Sequence, residues 1–214
     1  MAEITIIGGH GKVALRLARL LSTRGDTVTS WVRNPDHDAD VEAAGATPRR
    51  ADLEAMSLDD MTTALAGADA VVWTAGAGGG SAERTFAVDR DAATRAVDAA
   101  VAAGVRRFVM VSYFYAKPDH GVPPESDFHA YAEAKSEADD AVRRSDLDWV
   151  ILGPSSLTDD PGTGSIETGE GVSASSVSRD DVAAVAARVL ALPTLRRTTI
   201  DFNTGDVPIA EAIG

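Results

Sequence analysis

The sequence predicts a doubly wound α/β fold: a parallel sheet of about seven strands with helices on both faces. Three observations carry this expectation. Short β-branched runs alternate with longer stretches of helical period, the first run leads directly into a glycine-rich turn, and runs such as Ala70–Trp73 and Trp149–Leu152 read as buried strands. Strands covered on both faces by helices are buried in this way.

The elements follow in order. Ile4–Ile7 opens the sheet, and Val13, Leu17, Leu20 and Leu21 make one apolar stripe of the next helix, closed by Gly25 as its C-cap. Thr27–Val32 reads as the second strand, Thr47–Arg50 as a weaker third, and Ala70–Trp73 as the fourth. The alanine-rich segment from Arg84 to Ala103 is helical and ends at Gly104, before the strand Arg107–Val111. A helix from about Asp127 to Ser145 precedes the strand Trp149–Leu152. The last long helix starts at Ser178, with Asp181 three residues on, buries Val182, Val185, Val189 and Leu190, and stops at Pro193. Thr198–Phe202 is the final strand. Between the last two, GPSSLTDDPGTGSIETGEGVSASS (153–176) is rich in Gly, Ser, Thr and Asp and reads as an irregular excursion, either a substrate lid or a plain surface loop. The expected organisation is one domain over 1–214, with a small substrate-binding excursion around 153–178.

Composition narrows the function. With 20 basic and 33 acidic residues, the formal charge of −13 repels nucleic acid and anionic membrane from most of the surface. Any phosphate ligand must then be held locally. There is no cysteine, so no disulfide, thiolate metal site or thiol nucleophile exists. No apolar stretch approaches the ~20 residues that cross a bilayer, and no basic flank precedes the first apolar run. The expectation is a cytoplasmic protein with a small-molecule substrate and neither a nucleic-acid nor a membrane partner. His10, His37, His120 and His129 show no ligand spacing, so no metal site is expected.

Gly8, Gly11 and Ala14 follow the first strand as G-x-x-G-x-x-A and open the first helix. Small residues there allow a tight turn, let a pyrophosphate approach the backbone, and leave the helix N–H groups free for the anion. The alternative is that the turn needs glycine only for its own packing. Where a non-phosphorylated dinucleotide would call for an acid at the end of the second strand, the sequence has Arg33, which suits a 2′-phosphate. NADP is thus favoured over NAD.

Tyr131 and Lys135 stand four residues apart in YAEAK and share a helix face. Chance placement of three tyrosines and three lysines gives roughly 0.04 such pairs in a chain of 214. An ammonium near a phenol favours the phenolate, so Lys135 is expected to lower the Tyr131 pKa and make it an acid–base catalyst. Ser112 ends the fifth strand, at the edge where such sheets bind ligands, and its hydroxyl is placed to hold a reacting oxygen. Tyr113, Phe114 and Tyr115 follow it, as a pocket for a flat substrate or as plain core.

These residues resemble the short-chain dehydrogenase/reductase superfamily, in its short atypical branch related to flavin and biliverdin reductases and to NmrA-like proteins. GGHGKVA, VRNP, ADL, TAGAGG, GVRRFVMVS, YAEAK, ILGPSSLTDDPGTG and SRDDVA carry the likeness over nearly the whole chain. It implies a Rossmann-type fold in which Gly8, Gly11, Lys12 and Val13 wrap the pyrophosphate and Arg33 meets the adenosine end. It further implies Asp52 and Leu53 at the adenine, Ala75 and Gly76 at the ribose side, Lys135 also at the nicotinamide ribose, and Pro154 beside the nicotinamide. For Asp52, Gly76 and Pro154, a helix cap, a turn glycine and a stiffened loop are equal alternatives. Gly153 departs from the arginine that relatives often carry before the proline. The implied activity is NADP-dependent reduction of a small carbonyl, quinone or flavin-like compound, catalysed with Ser112, Tyr131 and Lys135. Some relatives are non-catalytic NADP sensors. Sugar-nucleotide epimerases and dehydratases share the tyrosine chemistry, but only about 60 residues follow the sixth strand to build their substrate domain.

Overall fold

The computed structural model describes residues 1–79, 81–169 and 171–214. Its elements run β1 (Glu3–Ile7), α1 (Lys12–Arg24), β2 (Thr27–Val32), α2 (Asp38–Ala43), β3 (Thr47–Arg50), α3 (Leu58–Leu65), β4 (Ala70–Trp73) and α4 (Ala82–Thr85). A π-helical segment, Phe86–Ala92, joins α4 to α5 (Ala93–Ala102). There follow β5 (Arg107–Val111), α6 (His129–Arg144), β6 (Asp148–Pro154), β7 (Ser156–Thr158), β8 (Ser165–Thr168), β9 (Ser176–Ser178), α7 (Arg179–Leu190), β10 (Thr198–Thr204), β11 (Val207–Pro208) and α8 (Ile209–Ala212).

The main sheet has the order β11-β8-β10-β6-β5-β4-β1-β2-β3 and is parallel except where β8 pairs with β10 and β11. It is a three-layer Rossmann-type fold, with nine strands where about seven were expected. Successive strands are added on one side of β1 as far as β3 and on its other side from β4 on, and this switch opens a crevice at the strands' C-terminal edge. The strands there are apolar on both faces because both are covered: Ile4 and Ile6 pack toward α1 and α7, while Ile7, Val71 and Trp73 pack toward α3 and α5. Helix α1 ends at Gly25, whose φ of 93° lets Gly25 and Asp26 donate N–H groups to Ser22 and Leu21.

Residues 153–176 are less irregular than their composition implies. They contain β7 and β8, and β9 begins at the end of the stretch; β7 and β9 pair parallel as a separate ribbon. Glu170 of this stretch lies outside the described residues. Side chains from the main body hold it: Asp181 accepts the N–H groups of Thr163 and Gly164, and Asn203 bonds Glu167, Ser173 and Ser175. Ser178 caps α7 as expected, accepting the Asp181 N–H at 3.0 Å. The helix foreseen over 84–103 is broken by its π-helical turn, a feature common at functional positions. Among the described residues, no helix is long and apolar enough to cross a membrane.

Candidate active site

Two groups of residues meet at the C-terminal edge of the sheet. The first lines a cleft of about 440 Å3 above β1, β2 and β4 and includes Gly8, Gly11, Arg33, Asp52, Leu53, Ala75 and Gly76. The sequence thus brings seven of its predicted coenzyme residues to one cavity. Its floor is the β1–α1 turn. Gly8 has φ of 88°, and a Cβ on it would lie 2.6 Å from the nitrogen and α-carbon of Ala75. A Cβ on Gly9 would strike Ser30. These two glycines are therefore small because the protein's own chain fills the space. That modifies the expectation that a ligand takes all the room their missing side chains leave.

Gly11 differs. Its φ of −59° is ordinary, and its nearest obstacle is the Gly8 carbonyl at 3.2 Å. It caps α1 without any side-chain hydrogen bond, and no acid stands in the first turn. Gly11, which lines the cleft, thus begins a 13-residue helix whose first-turn N–H groups have no side-chain cap, and such a helix N-terminus fits a diphosphate.

At the end of β2, Arg33 donates to Glu54 at 3.2 Å, and Arg84 reaches the same carboxylate at 3.4 Å. Asp52 accepts from the Glu54 N–H at 3.2 Å, so it caps the turn after β3, while Ser57 caps α3. His10 and His37, to which the sequence gave no role here, stack in the cleft with ring centroids 3.6 Å apart. Lys12, Val13 and Pro154 do not line this cavity. Lys12 instead binds Asp159 of the loop after β7 at 2.5 Å, with Arg16 and Arg179 also on Asp159. Val13 is buried in the α1 packing, and the Pro154 carbonyl accepts the Phe114 N–H at 3.0 Å.

The second group lies on α6. Tyr131, Lys135 and Asp139 follow one another at one-turn intervals on the face turned to β5 and the π-helical segment. Lys135 is buried and donates to the Val111 carbonyl at 2.8 Å. Ser112 is also buried, and its hydroxyl donates to Asp139 at 2.6 Å. The only proton of Ser112 is thus already taken. Asp89, from the π-helical segment, is buried, accepts the Ala77 N–H at 2.9 Å and packs behind Gly76. Through Asp89 the cleft wall touches the α6 group: its charge acts on Tyr131, and Lys135 acts on it.

The Tyr131 phenol departs from expectation. Burial, and then the carboxylates of Asp89 and Asp139 and the neighbouring Tyr113, push its pKa well above the ordinary value. Burial and the two acids thus shift the phenol in the direction opposite to the one expected from Lys135. Burial also raises Asp89, against Lys135 and the Ala77 N–H, and pushes Asp139 up to about 6. Tyr113 and Phe128 pack around Tyr131, with ring centroids 5.7 and 5.2 Å from it. Phe114 packs against Tyr115 instead, which is exposed.

His120, His129 and Glu133, which the sequence left apart, converge so that one ligand atom of each lies within 4.8 Å of the others. The Nδ1 of His120 accepts the Val122 N–H, which leaves its Nε2 protonated and donating to Glu133. A metal needs a free lone pair on that nitrogen, so the trio reads as a tie between the 113–128 segment and α6. Asp139 lay within reach of sequence reasoning, since it continues the four-residue spacing of Tyr131 and Lys135. Asp89 and Asp159 gave no such signal.

Comparison with known proteins places this geometry. The family model described as NAD(P)H-binding matches residues 8–193. The uncharacterized sugar epimerase YhfK of Bacillus subtilis is 34% identical over 213 residues, covering 99% of this chain and 98% of that protein. Among solved structures, a Bacillus halodurans protein assigned by name only to the NAD-dependent epimerases/dehydratases superimposes with a TM-score of 0.91 at 30% identity, over 100% of this chain and 99% of that one. The oxidoreductase ylbE from Lactococcus lactis gives 0.86 at 26% identity, over 99% and 94%. With the uncapped helix and crevice in place, the chain belongs to the NAD(P)H-binding family.

Proposed function

We propose that the protein is an NADPH-dependent oxidoreductase that reduces a small carbonyl, quinone or flavin-like compound, with Tyr131 as the proton donor. One observation carries this reading: Tyr131 and Lys135 stand one turn apart on α6, beside Asp89, which packs behind Gly76 in the wall of the cleft. Reduction of a carbonyl needs a group that arrives with its proton and gives it to the substrate oxygen. NADPH, when bound, supplies the hydride. The chain does the rest. The α1 N-terminus holds the diphosphate, Tyr113 and Phe128 keep water from the ring of Tyr131, and the Tyr131 hydroxyl delivers the proton. Lys135, one turn away, offsets the charge left on that oxygen. Arg33 supports NADP as the coenzyme, because its guanidinium stands at the end of β2 where a 2′-phosphate would lie.

The names of the two Bacillus relatives favour a second reading, sugar epimerisation. An epimerase begins by taking a proton from a substrate hydroxyl, which requires a phenolate, and the environment of Tyr131 opposes that start. A third, a sensor that binds NADPH without chemistry, leaves Tyr131 idle.

The test is NADPH oxidation against a panel of carbonyls, quinones and flavins, with wild type and Tyr131→Phe, alongside calorimetric coenzyme binding. Unchanged binding with carbonyl reduction lowered roughly 100-fold or more is expected. Tight binding with no turnover supports the sensor. Interconversion of sugar-nucleotide epimers without net NADPH loss supports the epimerase.

A further inference from the structure

Asp139 takes no step in the chemistry above beyond the effect of its charge on Tyr131, yet it is fully buried. Its Oδ2 accepts the Ser112 hydroxyl at 2.6 Å, and its Oδ1 has no partner. The buried Tyr113 hydroxyl lacks a partner as well and feels the Asp139 charge. A serine hydroxyl has one proton to give and two lone pairs to offer. While the carboxylate takes that proton, Ser112 can present only lone pairs to a ligand. If Asp139 carries a proton of its own, it donates to Ser112, and the serine proton is freed for another acceptor.

We propose that Asp139 is a positioning residue that sets the hydrogen-bond polarity of Ser112: ionised, it holds the serine proton away from the substrate, and protonated, it hands Ser112 over as a donor to the substrate oxygen. This deepens the oxidoreductase reading and rests on it for the identity of the ligand atom. The groups around Asp139 make the exchange accessible near neutral pH. Burial raises it, against the Lys135 ammonium, the Ser112 hydrogen bond and Arg143, while Asp140 acts with burial, and the balance stands at about 6. Tyr113, from the segment after β5, and Tyr131, on α6, are the other titratable neighbours, and Asp89 of the π-helical segment shares Lys135 with it.

Two measurements test it. The first needs no substrate: carbon-detected NMR titration of the aspartate carboxyls, with Asp139 assigned by its loss in Asp139→Asn. One carboxyl should titrate near 6 in wild type and higher in Ser112→Ala, which lacks the hydrogen bond that stabilises the anion. An Asp139 midpoint in the usual carboxylate range, or one unmoved by Ser112→Ala, would overturn the proposal. The second is the pH profile of NADPH-driven reduction of 9,10-phenanthrenequinone, or of whichever panel compound turns over. Relative to Asp139→Asn, whose amide donates to Ser112 at every pH, wild-type kcat/KM should fall roughly tenfold per pH unit above 6. A purely structural Asp139 would give both proteins the same profile, which would also overturn the proposal. If no compound turns over, the oxidoreductase reading fails, and the NMR arm alone decides whether Asp139 and Ser112 are coupled.

Discussion

Gly8 lies so close to Ala75 that a Cβ on Gly8 would stand 2.6 Å from the Ala75 α-carbon, in a backbone with φ of 88°. The β1–α1 turn and the β4 loop are thus locked together before any ligand arrives. Gly8→Ala should lower stability by about 1–3 kcal/mol through strain and displacement of the β4 loop, and weaken coenzyme binding with it. Urea unfolding and NADPH calorimetry check both, and a stable variant with intact binding would show that the contact is not needed.

Much of this fold is legible in the sequence because the signals are local. Apolar runs such as Ala70–Trp73 and stripes such as Val13, Leu17 and Leu21 state their own secondary structure, and Gly25 and Ser178 state where helices end and begin. Strands β7, β8, β9 and β11 are two to four residues long and mostly polar. Distant side chains, Asp181 and Asn203, hold their neighbourhood, and periodicity does not report such contacts. The site divides in the same way. Of the seven cleft residues, Gly8, Gly11 and Arg33 were readable from motif and strand-end position, and Asp52, Leu53, Ala75 and Gly76 only through the family resemblance. The reversal of the Tyr131 shift was not readable, because it comes first from burial and then from Asp89, which the π-helical turn brings in from 42 residues away in sequence.

Arg33 is held by Glu54 at 3.2 Å, on the exposed rim of the cleft. Arg33→Ala should weaken NADPH binding roughly 10- to 100-fold, the range for losing charge-assisted bonds to a phosphate, and change NADH binding less than threefold. Parallel titrations with the two coenzymes give the ratio. Equal losses for both would remove the 2′-phosphate role.

Lys12 is occupied by Asp159 at 2.5 Å, where the family resemblance led to the expectation of a diphosphate contact. Releasing it with Asp159→Asn should tighten NADPH binding about two- to fivefold, a modest gain because both groups are exposed. The gain should vanish in a Lys12→Met background. An identical gain in that background would mean that Asp159 acts through general charge rather than through Lys12.

Asp139 also carries a pH signature in stability. Its carboxyl rises from 3.8 to about 6 on burial. A carboxyl raised by folding contributes stability that is fully present below its unfolded value and is lost as pH rises through the folded one. Asp139→Asn should therefore gain on the order of 2–3 kcal/mol relative to wild type between about pH 4 and pH 7.5. Urea unfolding of both proteins at the two pH values measures the gain, and a constant difference would contradict it.

The central claim is that the bare N-terminus of α1 holds the coenzyme diphosphate, and Gly11→Asp tests it most directly. An aspartate at this cap, with φ of −59° and only the Gly8 carbonyl near its Cβ, suits the helix but places a carboxylate where the diphosphate must sit. The account predicts an unfolding midpoint equal to or above that of wild type, with NADPH affinity by calorimetry reduced roughly 100-fold or more. A folded Gly11→Asp protein that binds NADPH as tightly as wild type would contradict it.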